Sequence, residues 1–189
     1  MLGGHVAGPA IGPGGLAGHV VVLEFWGVNS PPCIASMPGL EELHRTLRPR
    51  GLVIVGAHAR GGTAAELRRA VSELGVTFTV VENATVDGGM DFNGIPHCVV
   101  FDHAGKCVYR GSPGGAHDVV AAAVRAGQQL ARLEALESAA RSQPGGATPQ
   151  VRSLARELAR TIERGWPGSA AAARAEAIAE GLGTAAESR

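Results

Sequence analysis

The chain has 189 residues, enough for one domain and an additional segment, because domains cluster near about 100–150 residues. Lys and Arg number 17, as do Asp and Glu, so net charge gives no indication of a nucleic acid or another polyanion as partner. No segment approaches the roughly 20 apolar residues of a membrane span. Three cysteines are too few for a secreted disulfide scaffold, and any intramolecular pairing leaves one thiol free.

The first 17 residues are rich in Gly and Pro and are predicted to form a flexible segment. They contain no basic region followed by a continuous apolar run, so they are not a recognisable signal peptide. The chain as written is therefore expected to be cytoplasmic, with a start upstream of Met1 as the alternative.

Apolar runs of strand length then alternate with helical patterns. Thr63 and Glu66 form a capping box before a helix that stops at Gly75. Residues 102–105 predict a tight hairpin between the last two strands. This order implies an α/β fold, a mixed sheet with helices on both faces. The predicted strands are 19–26, 51–57, 76–81, 97–101 and 107–110, and the predicted helices are 32–47, 64–74 and 116–141.

The C-terminal part of the chain is predicted to be helical and separate. Residues 142–147 form a linker by composition, and residues 148–189 form a helical extension. Thr148 caps a helix with Pro149 at its first position, and a last helix is predicted at 171–180. These helices could dock on the fold or on a protein partner.

The motif Ser30-Pro31-Pro32-Cys33 stands directly after the first predicted strand. Cys33 falls in the first turn of a helix, where unpaired N–H groups and the helix dipole stabilise a thiolate. A strand, a turn and a Cys at a helix N-terminus form the local geometry of thiol redox catalysis. A dithiol motif would carry its first Cys at Ser30.

Two stretches of the chain resemble thioredoxin-like proteins of the TlpA/ResA type. Residues 23–33, followed by Met37 and Pro38, are similar to that family's strand ending in Phe-Trp, its Cys-Pro-Pro-Cys and its helix with Met-Pro. Residues 94–106 are similar to its Gly, apolar residue, cis-proline and strand, then Asp-x-x-Gly-Lys. The resemblance covers about residues 18–111. It implies a thioredoxin-like fold, which we assign to residues 18–141.

The resemblance gives Ser30 the attacking position and Cys33 the resolving position of a dithiol motif. A serine hydroxyl can donate a hydrogen bond to a thiolate, but it cannot accept two electrons. Dithiol cycling at this motif is therefore excluded. The chain retains at most monothiol chemistry at Cys33, and an inert Cys33 in a scaffold domain stays an alternative.

Glu24 lies inside an otherwise apolar strand, where a carboxylate is costly unless it is protonated or paired, and where its pKa should rise. The resemblance implies proton exchange between Glu24 and Cys33. The alternative is a solvated or salt-bridged Glu at a strand edge.

Pro96 resembles the family's cis-proline, with a trans-proline as the alternative. The resemblance implies that Ile95 and Pro96, together with Trp26, Pro31 and Pro32, contact a protein substrate that bears a thiol or a disulfide.

The remaining Cys and His residues admit several interpretations. Cys98 and Cys107 are expected to behave as small hydrophobic residues, although a Cys33–Cys98 bridge is conceivable. His97 could tune a thiolate or simply pack. The residues His58, His97, His103 and Cys98 lack metal-ligand spacing, so neither a metal nor a cofactor is expected.

Two other functions compete with the oxidoreductase. A peroxiredoxin-like peroxidase would use Cys33 to attack peroxide, with Ser30 as the motif hydroxyl, but Trp26 stands where peroxiredoxins have a Pro. A non-catalytic module would recognise a partner protein through the peptide-binding groove that the resemblance implies and through the C-terminal helices.

Overall fold

The computed structural model describes residues 1–86, 92–143 and 145–184. The chain divides into two units, Met1–Ala121 and Ala122–Arg189. The division lies inside the helix Pro113–Arg141. The apolar residues in the second part of this helix pack with the last two helices. The domain end at 141 and the linker at 142–147 stay predictions.

The first unit contains a six-stranded mixed sheet. The strands are β1 His5–Ala7, β2 Val20–Trp26, β3 Leu52–His58, β4 Thr79–Val81, β5 His97–Phe101 and β6 Cys107–Gly111. The helices of the chain are α1 Pro31–Leu47, α2 Ala64–Glu73, α3 Pro113–Arg141, α4 Pro149–Gly165 and α5 Ala170–Thr184.

The strand order in the sheet is β1-β4-β3-β2-β5-β6. The central strand β2 is parallel to β3 and antiparallel to β5, and β3 is parallel to β4. The predicted mixed sheet is confirmed.

All seven residues of β2 are buried, and a paired strand covers each edge of β2. Side chains alternate between the two faces of a strand. Leu23 and Phe25 join an apolar cluster on one face, and Glu24 and Trp26 therefore point to the other face. The sheet therefore separates the apolar cluster on one face from the surroundings of Glu24 on the other.

The N-terminal segment was predicted to be flexible, and this prediction missed β1. His5 pairs with Val81 at the edge of the sheet, and the Thr79 hydroxyl donates to the Pro9 carbonyl at 2.7 Å. Ile11 and Leu16 pack against the apolar cluster of the sheet. The sequence did not predict β1 because a three-residue strand among Gly and Pro depends on long-range pairing, which composition does not reveal.

Two local predictions are confirmed by hydrogen bonds. The Thr63 N–H donates to Glu66 Oε2 at 2.7 Å, and the Glu66 N–H donates to Thr63 Oγ1 at 3.3 Å, so the capping box of α2 is complete. Asp102 Oδ1 accepts the N–H groups of Ala104 and Lys106, each at 3.0 Å, and this closes the turn between β5 and β6.

The second unit consists of the end of α3 with α4 and α5. Its core is built from Ala, Leu and Ile side chains, including Leu133, Ile162 and Ile178. The Thr148 hydroxyl accepts the Val151 N–H at 3.3 Å, which confirms the predicted cap of α4. Among the helices in the described ranges, none combines the length and the apolar character needed to cross a membrane.

Candidate functional site

The end of β2 and the start of α1 bring the four motif residues into one turn. The Ser30 N–H donates to the Gly27 carbonyl at 3.1 Å, which reverses the chain after the strand. Ser30 then takes the N-cap position with an extended backbone, and its hydroxyl makes no capping hydrogen bond. Pro31 and Pro32 occupy the first helical positions, where a missing N–H costs little. Cys33 follows in the first turn, as predicted.

The four motif residues differ sharply in exposure. Pro31 and Pro32 are exposed and Ser30 is partly exposed, whereas the Cys33 side chain has 0% exposure. The thiol therefore lies beneath the surface that a substrate would touch. A reaction at Cys33 needs a local opening of the first turn of α1.

The second sequence stretch meets the motif at the same end of the sheet. The Ile95–Pro96 peptide bond is cis, which confirms the interpretation of Pro96. β5 runs antiparallel to β2, and Phe25 pairs with His97, so Pro96 lies beside the end of β2. Ile95 Cδ1 is 3.0 Å from the position that a Cβ on Gly27 would occupy. The structure thus brings Ile95 and Pro96 next to the turn that carries the motif.

Trp26 was predicted to contact substrate, but its side chain has 0% exposure. Its ring packs against His58 in a T-shaped arrangement with the ring centroids 5.9 Å apart. Trp26 lies on the same face of β2 as Glu24, and both side chains are completely buried. Trp26 supports the site from within the core and offers no surface to a substrate.

Glu24 is completely buried, as predicted. It pairs in register with Gly56 on β3 and with Cys98 on β5. Neither carboxyl oxygen has a hydrogen-bond partner in the described part of the chain. Burial raises the pKa of Glu24 to about 8, because removal from water penalises the charged form. Glu24 is therefore protonated at neutral pH.

The cysteines occupy three different environments, and all three are free thiols. Cys98 has 0% exposure, and burial, together with the nearby Glu24, raises its pKa to about 12. Cys107 is partly exposed on β6, and its Sγ lies 3.5 Å from Nε of Arg110. Cys98 is thus a poor nucleophile. Cys107 lies on β6, far after the motif turn in the sequence.

An aromatic stack beside Pro96 was not predicted. The Phe92 ring stacks on His97 with centroids 4.7 Å apart and an interplanar angle of 10°, and it also contacts Phe25 at 4.9 Å. Burial and the nearby Arg110 lower the pKa of His97, which keeps its ring neutral at pH 7. Phe92 was not identified from the sequence, because it lies in a polar stretch that was interpreted as irregular.

Thiol accessibility in the native protein is a direct consequence of these positions. We expect iodoacetamide to modify Cys107 first, while Cys33 and Cys98 react only as the structure opens, because both are fully buried. Mass spectrometry of peptides over a time course checks this order. Equal modification of all three thiols before unfolding would contradict it, and modification in denaturant provides the reference for full reactivity.

Comparison with known proteins supports the sequence interpretation. No protein-family model matches the chain. A stretch of 76 residues, 40% of the chain, is 32% identical to the thiol-disulfide oxidoreductase ResA of Halalkalibacterium halodurans. The stretch also spans 40% of the length of that relative. The similarity therefore concerns part of each protein.

Solved structures resemble the first part of the chain in fold. A secreted thiol-disulfide isomerase from Corynebacterium glutamicum matches with a TM-score of 0.58 at 19% identity, over 66% of this chain and 83% of that one. A putative thioredoxin from Neisseria meningitidis matches with a TM-score of 0.52 at 22% identity, over 58% and 77%. At these identities the likeness concerns the fold alone. The chain has a thioredoxin-like fold with a helical C-terminal part, as the resemblance implied.

Proposed function

We propose that this chain is a thioredoxin-like protein of the thiol–disulfide oxidoreductase type whose redox chemistry is limited to one motif thiol. The observation that carries the proposal is the pair of positions at the start of α1. Ser30 occupies the partly exposed N-cap position, and the buried Cys33 occupies the first turn. A disulfide between these two positions cannot form, because serine has no sulfur.

Monothiol chemistry at Cys33 would proceed in two exchanges. The Cys33 thiolate attacks one sulfur of a substrate disulfide, a mixed disulfide with Cys33 forms, and the other substrate sulfur leaves as a thiolate that takes up a proton. Release of the bound substrate then requires an external low-molecular-weight thiol, because Ser30 supplies none. We therefore expect the protein to trap a substrate as a mixed disulfide more readily than it releases the reduced substrate.

The proposed substrate is an extended protein segment that bears a thiol or a disulfide. Exposed Pro31 and Pro32 and the half-buried Ile95 and Pro96 lie at one end of the sheet, close to the motif turn. These four residues would line the contact with the segment. Trp26 is left out of this contact surface because it is buried.

Glu24 is proposed to exchange a proton with Cys33 during the reaction. Its pKa of about 8 supports this role, because near that pH the carboxylic acid can donate a proton and the carboxylate can accept one. Glu24→Gln should therefore alter how the alkylation rate of Cys33 depends on pH.

A peroxidase is less well supported. The burial of Cys33 weighs equally against attack on peroxide and attack on a disulfide. What disfavours the peroxidase is Trp26, which stands where peroxiredoxins have a Pro. A non-catalytic binding module would use the same contact surface but would form no covalent adduct. Adduct formation therefore distinguishes monothiol chemistry from simple binding.

The test uses a cysteine peptide activated as a mixed disulfide with thionitrobenzoate. In a Cys107→Ser background we expect a slow peptide adduct at Cys33, located by mass spectrometry and absent after a further Cys33→Ser change. Cys98→Ala in the same background serves as the matched control and should leave the adduct in place. An adduct at Cys98 alone, or none during prolonged incubation, would contradict monothiol chemistry and favour the binding module.

A further inference from the structure

Residues 31–37, the first two turns of α1, bury the reactive groups of the candidate site. Cys33 and Met37 of this segment have 0% exposure, as does Glu24 on β2. The two prolines at the start of the segment are exposed. The segment therefore presents one side to solvent and turns its thiol inward.

α1 packs on the face of the sheet to which Glu24 points. Glu24 and Trp26 share that face of β2. Trp26 Nε1 and Phe78 Cε2 each lie 3.2 Å from the position that a Cβ on Gly56 would occupy, and the His44 ring of α1 contacts the Phe78 ring with centroids 5.9 Å apart. Only four residues join β2 to α1. The first turns of α1 therefore lie over the carboxyl end of β2, where the Glu24 side chain is buried.

The groups around Glu24 form no ion pair with it in the described part of the chain. The elements packed around it contribute thiols and imidazole rings, namely Cys98 on β5, His58 on β3, Cys33 and His44 on α1, and His117 on α3. Burial lowers the pKa of His58 and of His44, which keeps both rings uncharged at pH 7. The charge of an ionised Glu24 therefore has to be stabilised by water.

The helix is weakened directly after the second turn of α1. Pro38 has no N–H and cannot donate to the Ile34 carbonyl one turn earlier. The Ser36 hydroxyl donates to the Cys33 carbonyl at 2.8 Å, a local bond that competes with the helical pattern. Gly39 follows, and glycine favours a helix less than any residue except proline. These positions form a hinge between the first two turns and the rest of α1.

We propose that residues 31–37 form a pH-dependent lid over the candidate site, with its hinge at Pro38 and Gly39. Opening of the lid brings water to Cys33 and to Glu24 in one movement. Deprotonation of Glu24 stabilises the open form, because the charge is hydrated there and buried in the closed form. The inference rests on the proposed function only in that Cys33 is the thiol that the lid controls.

Amide hydrogen exchange of residues 31–37, measured by mass spectrometry on the full-length Cys33→Ser protein, tests the lid without thiol chemistry. The pKa of Glu24 is about 8 in the closed form and returns to its ordinary value of 4.5 in water. The opening constant should therefore rise about tenfold per pH unit between about pH 5 and pH 7.5, beyond the intrinsic increase of the exchange rate. Glu24→Gln should abolish this rise, whereas Glu82→Gln, at an exposed carboxylate, should keep it. A rise below about threefold per pH unit, or an equal rise in Glu24→Gln, would overturn the proposal.

The same measurement separates opening of the lid from unfolding of the sheet. The residues of β2 pair with a strand on each side, so their amides exchange only when the sheet opens. Residues 31–37 should be less protected than β2 at every pH. Equal protection of the two segments would mean that unfolding exposes Glu24, and the lid would be refuted.

Gly39→Ala covers the case in which Glu24→Gln fails to fold. A Cβ at this position would lie 3.6 Å from Cε1 of His117, an ordinary contact, so alanine fits the closed form. Alanine should lower the opening constant of residues 31–37 about fivefold, because it stabilises the helix at the hinge. Gly165→Ala, at the end of α4, is the matched control and should leave their exchange unchanged. Unchanged exchange in Gly39→Ala would contradict the hinge.

The peptide adduct experiment distinguishes the lid from the proposed function. An adduct at Cys33 without pH-dependent opening overturns the lid and leaves monothiol chemistry in place. A pH-dependent opening without an adduct supports the lid and contradicts monothiol chemistry.

Discussion

Replacing Ser30 by Cys is expected to give this protein a dithiol reductase activity that the wild type lacks. The wild type should reduce insulin disulfides no faster than the dithiothreitol background, because a single thiol has no neighbour to release the mixed disulfide. Ser30 has an extended N-cap backbone before two prolines, so a sulfur fits there with little rearrangement. The new thiol is partly exposed at a helix N-terminus, which stabilises the attacking thiolate.

The rate of insulin reduction should rise at least about tenfold over background. The reason is that a resolving thiol releases the mixed disulfide by intramolecular exchange. Ser30→Ala is the matched control and should stay at background. The double variant Ser30→Cys with Cys33→Ser should lose the gain, because only the attacking thiol remains. A different outcome is that Ser30→Cys folds and forms a disulfide with Cys33 but does not reduce insulin. The contact surface beside the motif then no longer serves catalysis, and the binding module becomes the better interpretation.

The second large effect is expected from Glu24→Gln on the pH dependence of stability. Burial raises the pKa of Glu24 to about 8 from an ordinary value of 4.5. Below pH 4.5 the group is protonated in both the folded and the unfolded chain. Between pH 4.5 and about 8 only the unfolded chain ionises, so the folded state binds more protons and the free energy of unfolding falls as pH rises. Above about pH 8 the fall ends.

The fall is about 1.4 kcal/mol per pH unit, or roughly 5 kcal/mol over the whole interval. Glutamine does not titrate, so Glu24→Gln should gain about 4 kcal/mol of stability relative to the wild type between pH 5 and pH 8. Urea unfolding at several pH values, followed by tryptophan fluorescence, measures the difference in stability. Both proteins carry Trp166→Phe, so that the remaining tryptophan, Trp26, reports on the first unit. Glu82→Gln, at an exposed carboxylate, should show no such trend. A constant difference between wild type and Glu24→Gln would mean that Glu24 is ionised in the folded protein.

Much of the fold could be predicted because its elements are encoded locally. The apolar run of β2 and the capping residues of α2 and α4 each act within a few residues, and these elements lie where the pattern indicated. The burial of Glu24 followed from the same local reasoning, since its strand neighbours are apolar. The cis state of Pro96, by contrast, came only from the resemblance, because a cis bond depends on tertiary context.

What the sequence did not reveal depends on contacts distant in the chain. β1 exists through pairing with β4, more than 70 residues away. The stack of Phe92 on His97 needs the loop before β5 to fold back. The burial of Trp26 required knowing that β2 is central, with a strand on each side. Exposure of a motif neighbour therefore cannot be taken from a family pattern alone.

The short strand β1 also has a consequence for how copies of the protein meet at high concentration. A sheet edge with free N–H and C=O groups can recruit another chain and start ordered aggregation. In the described part of the chain, β1 covers β4 with only three residues, its register shifts between His5 and Ala7, and Gly8 and Pro9 end it. A strand this short and irregular is a poor template for further pairing. The segment that composition suggested was loose thus protects the β4 side of the sheet against intermolecular strand addition.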